Sequence, residues 1–430
     1  MKESYIHDLP ENRGVENGLK RALQMTEIRW SPLRYMAGSQ FYYTRDENGE
    51  FAGQYVPFYF SPALPNTGMV YSSVLKNQKF LGYNVSLETY MTALSDPVSV
   101  LYEKNLHGSG RRNVGCWYGI VCSCFASYVH DLPTRTICRE WPKVKNVTKL
   151  GQPELDELKL LDVILNVRKH IAVITDIQRD AAGRVRLVEV SEAVLPRCRR
   201  SYFLPEEFRA YWYGRDFEIY RKADTEGITY TPSPFVRVEA DPARGISADP
   251  ELPDYVYNRD IMPNQGNASN YVGSEAVCID ILSEGWEKLR VEREGGADAV
   301  YDIGGSRVEL TEKEPGYYTA RAVRADGTES APACWALTGI DFRADKALYR
   351  PGEKMVFTYG GQGSDDVFLL SVNRLKTSGE VKGGFLSERE KAARTVETDA
   401  PQEQGEFFAF VSAKNKYGVY ASGYAFFRVE

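Results

Sequence analysis

The 430-residue chain has no apolar run long enough to cross a lipid bilayer. Serine and glycine interrupt its longest such run, over residues 117–129, whereas a spanning helix needs about 20 consecutive apolar residues. The sequence therefore predicts no membrane span. The first residues also lack the apolar stretch of a secretory signal, so either the protein stays inside the cell or the sequence begins after a cleavage site.

The sequence also lacks an excess of positive charge. Its 53 Lys and Arg residues are outnumbered by 59 Asp and Glu residues, and the two signs are mixed along the chain to give a net charge of -6. Proteins that bind a nucleic-acid backbone cluster Lys and Arg into patches or stripes. We therefore expect no nucleic-acid partner.

The cysteines lack the paired C-x2-C spacing of a structural zinc site. Cys116, Cys122 and Cys124 form the pattern C-x5-C-x-C, and only four histidines are available to complete a site. We therefore expect neither a metal nor a cofactor. Cys278 and Cys334 lie on the predicted first and last strands of one β domain, where either a disulfide or two buried free thiols would fit.

The length exceeds what a single hydrophobic core usually organises, so several domains are expected. Residues 1–235 contain a small-residue helix beginning at or just before Cys122, followed by apolar strands near residues 158–165, 170–177 and 184–193. A buried helix followed by an antiparallel meander predicts an α+β domain.

The remaining chain has the composition of a linker followed by β domains. Residues 236–272 are rich in Pro, Asp, Asn and Gly and predict an extended linker. Short strands separated by turn residues predict two β-sandwich domains, over 273–337 and 338–430, the second resembling immunoglobulin-like modules. The Gly-Tyr-Tyr-Thr-Ala segment at 316–320 recurs as Gly-Glu-Phe-Phe-Ala at 405–409, which indicates a tandem repeat.

Three residues have the types and spacing of a nucleophilic triad. Cys122 lies at a predicted helix N-terminus, where the helix dipole stabilises a thiolate. His130 lies eight residues along the same helix, about 12 Å away, and cannot be its base. His170 opens a predicted strand, and Glu192 could orient its imidazole. Cys124 would face another side of the helix, since i and i+2 positions point apart.

Each of these residues also fits a structural role. Cys122 could be a small buried apolar side chain, His170 a residue at a strand end and Glu192 a cap on the following turn. Their joint spacing favours the triad.

The motif around the nucleophile resembles that of a known enzyme family. Residues 118–129, Tyr-Gly-Ile-Val-Cys-Ser-Cys-Phe-Ala-Ser-Tyr-Val, are similar to the nucleophile motif of the NlpC-type cell-wall cysteine peptidases, which have a papain-like fold. His170 and the apolar residues after it resemble the family's catalytic histidine and strand. Glu192 falls where the family's third polar residue precedes alanine.

The chain departs from that family's pattern at four positions. Val121 replaces an acidic residue before the nucleophile, Cys124 replaces a glycine, and Lys169 replaces a glycine before the histidine. Glu192 replaces the commoner histidine, as in the related CHAP amidases.

The resemblance implies a cysteine peptidase or amidase that cleaves peptide stems of bacterial peptidoglycan through a thioester on Cys122. Tyr71 and Tyr118 are candidate contacts for the substrate. A secreted or cell-envelope location is implied, with the sandwiches attaching the protein to a surface or polymer, although a cytoplasmic location stays open. Two other functions fit the sequence: a surface binding or adhesion protein with a degenerate papain-like domain, and an acyltransferase on the same fold.

Overall fold

The computed structural model of the protein describes most of the chain. The described residues are 5–30, 32–33, 36–45, 51–60, 66–71, 90, 93–98, 102, 119–230, 260–263, 269–272, 277–312, 314, 316–338, 341–360, 368–374, 382–390, 395–415 and 418–430. The helices within them are α1 (Arg13–Thr26), α2 (Cys122–Val129) and α3 (Pro205–Tyr211), with 3₁₀ turns at Cys138–Lys143, Leu155–Glu157, Tyr213–Arg215 and Thr225–Gly227. Strands predominate over helices.

An antiparallel sheet organises the N-terminal unit. Its order is β10-β9-β8-β7-β11-β6, with β1 pairing on β8. The strands are β1 (Tyr5–His7), β6 (Val147–Gly151), β7 (Val163–Asn166), β8 (His170–Asp180), β9 (Val185–Ala193), β10 (Cys198–Phe203) and β11 (Glu218–Lys222). The meander β7-β8-β9 confirms the predicted order of strands, and Gly183, with a φ of 79°, lies in its second turn.

Strand β8 is buried on both faces, which explains its near-continuous apolar run. Ile171 and Val173 pack in one core with α1 and with Phe125 of α2. Ala172 and Ile174 alternate with them and pack in a second core with the aromatic residues that follow α3. Because side chains alternate along a strand, α2 and these aromatic residues cover opposite faces of β8.

The first sandwich-like unit has two sheets, of order β12-β14-β17 and β13-β19-β18-β15-β16. Between them lies a core that includes Ile279, Leu289 and Trp335. The strands are β12 (Ile261–Pro263), β13 (Ser269–Val272), β14 (Cys278–Ile281), β15 (Lys288–Arg293), β16 (Ala299–Asp302), β17 (Arg307–Glu309), β18 (Gly316–Val323) and β19 (Ala333–Thr338). Strands β12 and β13 lie inside the segment predicted as a linker. The apolar residues Ile261 and Met262 of β12 are buried there, so this part of the segment is not an extended linker. The domain boundaries themselves stay a prediction.

The second sandwich-like unit has sheets of order β20-β22-β25 and β24-β23-β26-β27-β4-β3, with β21 pairing on β27. Its strands are β20 (Asp341–Ala344), β21 (Leu348–Tyr349), β22 (Lys354–Gly360), β23 (Phe368–Arg374), β24 (Lys382–Glu390), β25 (Thr395–Asp399), β26 (Gly405–Asn415) and β27 (Gly418–Val429). The hairpin of β3 (Met36–Arg45) and β4 (Phe51–Phe60) joins β27 where Tyr59 faces Val419. A separate short pair is β2 (Arg29–Trp30) with β5 (Asn66–Thr67).

The two repeated segments occupy equivalent places in the two sandwich-like units. Gly316 opens β18, which lies between β15 and β19, and Gly405 opens β26, which lies between β23 and β27. Each segment therefore begins an internal antiparallel strand, as a tandem repeat predicts.

The first sandwich-like unit packs on the edge of the N-terminal sheet. The Leu282 carbonyl accepts hydrogen bonds from His7 Nε2 at 3.0 Å and from Gln178 Nε2 at 2.7 Å. Arg307 also reaches across, with Glu207 at 2.7 Å. An apolar cluster fills the contact: Leu187, Tyr202, Met262 and Leu282.

The described ranges contain no helix that is both long enough and apolar enough to span a membrane. Cys278 and Cys334 are both half-buried and form no disulfide with each other, so the structure does not contain the disulfide that was one of the two alternatives for this pair.

Candidate active site

Cys122 is the first residue of α2, as predicted. Gly119, with a φ of 119°, provides a backbone turn that most side chains would disfavour, and Val121 is extended before the helix begins. The first amides of a helix have no acceptor within it, so they and the helix dipole favour negative charge on the Cys122 sulfur.

His170 and Glu192 meet across neighbouring strands. Val173 of β8 faces Ser191 of β9, which puts Glu192 diagonally across from His170, the first residue of β8. His170 Nε2 lies 2.8 Å from Glu192 Oε2. The Glu192 side chain is 3% exposed and that of His170 is 20% exposed, so the carboxylate is the inner member of the pair.

The Cys122 thiol completes this constellation through its contact with His170. The His170 side chain and the Ile171 amide both hydrogen-bond to the sulfur. Since Nε2 is engaged by Glu192, Nδ1 is the ring nitrogen available to the thiol. The structure thus brings together the three residues that the sequence singled out as a triad.

A second thiol, that of Cys138, hydrogen-bonds to Cys122. Cys138 opens the 3₁₀ turn Cys138–Lys143, and the segment before it runs back along α2. The Thr136 amide donates to Ser127 Oγ at 2.9 Å, and Arg135 Nε donates to Ser123 Oγ at 3.2 Å. These contacts bring the segment to the first turn of α2.

The electrostatics of the site favour a thiolate beside an imidazolium. A hydrogen bond from Cys138 and the charge of His170 lower the pKa of Cys122. Burial opposes them, but the pKa remains well below its ordinary value. Burial opposes a charge on His170, but the negative charges of Cys122 and Glu192 outweigh it and raise the pKa of the imidazole to about 10.

Glu192 remains ionised although it is buried. Burial alone would raise the pKa of this carboxyl, but the charge of Arg199 and the contact with His170 lower it to about 2. Arg199 Nε and Nη2 both lie 3.0 Å from Glu192 Oε1. Each carboxylate oxygen therefore has its own cationic partner.

The other thiol on α2 is in a different environment. Cys124 is fully buried in the core beneath the helix, and burial raises its pKa above the ordinary value. His130, which follows α2, is also buried and packs edge-on against Trp141, and burial lowers its pKa to about 3. Cys124 therefore stays a neutral thiol rather than a thiolate, and the His130 imidazole is neutral but too weakly basic to take a proton efficiently near neutral pH.

Aromatic side chains pack against the His170 ring. Trp212 lies nearly parallel to it, with ring centroids 6.4 Å apart, and Phe217 meets it edge-on at 6.5 Å. Both aromatic residues are almost completely buried. They limit the orientations of the imidazole and shield that side of the site from water.

The two predicted substrate contacts have different outcomes. The backbone of Tyr71 pairs with Ile120, two residues before Cys122, and its amide donates to the Pro196 carbonyl at 2.8 Å. Tyr71 is thus next to the site and half-buried, and its contact with substrate stays a prediction. Tyr118 lies outside the described residues.

Sequence reasoning missed Cys138 and Arg199. Arg199 had a usable signal, because a tight connection between β9 and β10 pairs it directly with Glu192. No sequence signal pointed to Cys138, because its contact with Cys122 depends on how the loop after α2 folds back. In the part of the chain that the structure describes, no group of three or more His, Cys, Asp or Glu residues could hold a metal ion.

No family model matches the chain, and no curated protein sequence does. Solved structures similar to it include the fibronectin(III)-like modules of Clostridium thermocellum CbhA, with 16% identity over 40% of this chain and 94% of that one, at a TM-score of 0.17. Others are the chicken CNTN1 FN1-FN3 domains (9% identity, 43% and 70% coverage, TM-score 0.17) and the chicken interferon gamma receptor alpha chain (8% identity, 36% and 92% coverage, TM-score 0.21).

Proposed function

We propose that the protein is a cysteine peptidase or amidase whose N-terminal unit is a papain-like, NlpC-type catalytic domain. One observation carries the proposal: the Cys122 thiol contacts His170, and the other nitrogen of that ring lies 2.8 Å from the buried Glu192 carboxylate. A nucleophile, a base and an orienting carboxylate in contact are the minimal parts of a triad.

The proposed reaction follows from the charges of these groups. The Cys122 thiolate attacks an amide carbonyl, and the amide of Cys122 donates a hydrogen bond to the oxyanion that forms. Protonated His170 gives its proton to the leaving amine, which leaves a thioester on Cys122. Neutral His170 then takes a proton from the water that hydrolyses the thioester, while Glu192 keeps the ring oriented in both steps.

The proposed substrate is the peptide stem of bacterial peptidoglycan. The residues that support it are the motif around Cys122 and the apolar strand after His170, which resemble those of the NlpC-type enzymes. A protein that acts there would be secreted or held at the cell envelope. The sandwich-like units would attach it to a surface or polymer, which suits modules placed outside the catalytic unit.

The test is incubation of the full chain with soluble muropeptides, followed by mass spectrometry of the products. We expect cleaved stem peptides with the wild-type protein and none with Cys122→Ala. Cys124→Ala is the matched control, because it removes a thiol two residues away that is buried in the core. Turnover of ordinary peptides without turnover of muropeptides would contradict the substrate, and an active Cys122→Ala protein would contradict the mechanism.

A further inference from the structure

Arg199 is positioned to act on the triad through Glu192. The two residues face each other directly across β9 and β10. Arg199 presents Nε and Nη2 to a single carboxylate oxygen, Oε1, each at 3.0 Å. The other oxygen, Oε2, is left to His170 at 2.8 Å. The carboxylate is therefore fixed at both ends, and a rotation that served one partner would break the contact with the other.

The proposed reaction gives this arrangement a purpose. His170 alternates between a charged and a neutral ring during turnover, so it is a cationic partner for Glu192 only part of the time. A buried carboxylate without a cation is costly and tends to become protonated. Arg199 carries a charge that does not titrate, so it can keep Glu192 ionised while His170 is neutral. The charges of Arg199, Glu192, His170 and Cys122 alternate in sign along the contacts.

We propose, on the basis of the hydrolase function proposed above, that Arg199 is a positioning residue of the active site. It holds the Glu192 carboxylate in place and ionised, so that Glu192 accepts the Nε2 proton of His170 in both states of the ring. Lysine would supply the charge but not the planar pair of N–H donors that fixes the carboxylate. Both the charge and the geometry of Arg199 therefore contribute.

The test compares Arg199→Met and Arg199→Lys with wild type in the full chain. The first readout is the pH dependence of iodoacetamide alkylation at Cys122, located by tandem mass spectrometry, and the second is kcat and KM for the stem-peptide substrate. In Arg199→Met we expect the alkylation profile to move to higher pH and kcat to fall about 10- to 100-fold with a smaller change in KM. The alkylation profile and the kcat of Arg199→Lys should lie between those of wild type and of Arg199→Met.

Arg221→Met is the matched control. Arg221 is 30% exposed and pairs at 2.7 Å with Asp162, which is 1% exposed, closely matching the 30% and 3% exposures of Arg199 and Glu192. Loss of this pair should destabilise the fold without moving the alkylation profile. The proposal is wrong if Arg199→Met, like Arg221→Met, leaves the alkylation profile unmoved. It is also wrong if Arg199→Met does not fold while Arg199→Lys folds and reacts as wild type, because Arg199 would then be structural.

A double-mutant cycle tests whether Arg199 acts through Glu192. In a Glu192→Gln background, Arg199→Met should change kcat and the alkylation profile little further. An equal effect in both backgrounds would overturn the proposal. Wild-type Cys122 that alkylates no faster than an ordinary thiol would instead overturn the hydrolase function, so the two failures are distinguishable.

Discussion

At the scale of the residue, the site depends on one proton shared between Cys122 and His170. The pKa of the Cys122 thiol lies well below its ordinary value, and that of the His170 imidazole is raised to about 10. Between those two pH values the thiolate and the imidazolium coexist. In the proposed reaction, both the attack on the carbonyl and the protonation of the leaving amine need that state.

The alkaline limb of activity is the first prediction. As the pH rises through the raised pKa of His170, about 10, the ring loses the proton that the leaving amine needs, while Cys122 stays a thiolate. Hydrolysis should therefore fall above that pH, whereas alkylation of Cys122 should not. Parallel pH profiles of kcat and of alkylation measure this, and a joint fall of both rates would contradict it.

Replacement of Glu192 by Gln is the second prediction. Gln keeps the size of the side chain but cannot carry the charge that stabilises the His170 imidazolium. We expect kcat to fall by about tenfold or more, with KM less affected, and the pKa of His170 to fall. Steady-state kinetics and NMR titration of the ring would measure these changes. Wild-type turnover in this variant would reduce Glu192 to a structural residue.

At the scale of the element, the first turn of α2 is shaped by the segment that follows the helix. The contacts of Thr136 and Arg135 with α2 bring Cys138 to Cys122, and the Cys138 thiol donates to the Cys122 sulfur. Hydrogen bonds to a charged group are stronger than those between neutral groups. Cys138 therefore stabilises the thiolate directly.

The third prediction concerns removal of the Cys138 thiol, which donates to the Cys122 sulfur. Hydrogen bonds to charged groups contribute about 1.5–3 kcal/mol, so Cys138→Ala should lower the alkylation rate of Cys122 at mildly acidic pH by about 10- to 100-fold. Cys138→Ser keeps a donor and should lose less. Equal rates in both variants and in wild type would mean that Cys138 only fills space.

The elements of the site were predictable, and some of the contacts between them were not. The small apolar residues after Cys122 predicted a helix beginning at or just before that residue, and the apolar run after His170 predicted the strand, because both follow from local periodicity. The approach of Cys138 depends on a tertiary contact of a loop, which periodicity does not encode. The pairing of Arg199 with Glu192 depends on strand register, which becomes visible once β10 is placed beside β9.

At the scale of the whole molecule, the sandwich-like units are more closely joined to the N-terminal unit than the composition of the chain suggested. The segment predicted as a linker contributes β12 and β13, because a few apolar residues within it, including Met262, are buried. Met262 and Leu282 pack against Leu187 and Tyr202 of the N-terminal sheet. The many polar residues over 236–272 predicted a linker, so these contacts were not expected from the composition of the segment.

Truncation of Leu282 is the fourth prediction. Leu282→Ala leaves a cavity between the sandwich and the sheet and should cost about 2–5 kcal/mol of the free energy of unfolding. Hydrogen exchange should increase in β9 and β10, which the cluster covers. Leu289→Ala, in the core of the sandwich itself, is the control and should not increase exchange there. Unchanged exchange in β9 and β10 with Leu282→Ala would mean that the units are independent.

We propose that Cys122 is an activated nucleophile, and the rate of its alkylation in the intact protein tests this claim. Iodoacetamide should be added at mildly acidic pH, where an ordinary thiol is almost entirely protonated, and each modified cysteine located by tandem mass spectrometry. We expect Cys122 to react first and His170→Ala to abolish this preference. If Cys124 or Cys138 reacts first, or if Cys122 reacts no faster than the half-buried Cys278, the claim is wrong.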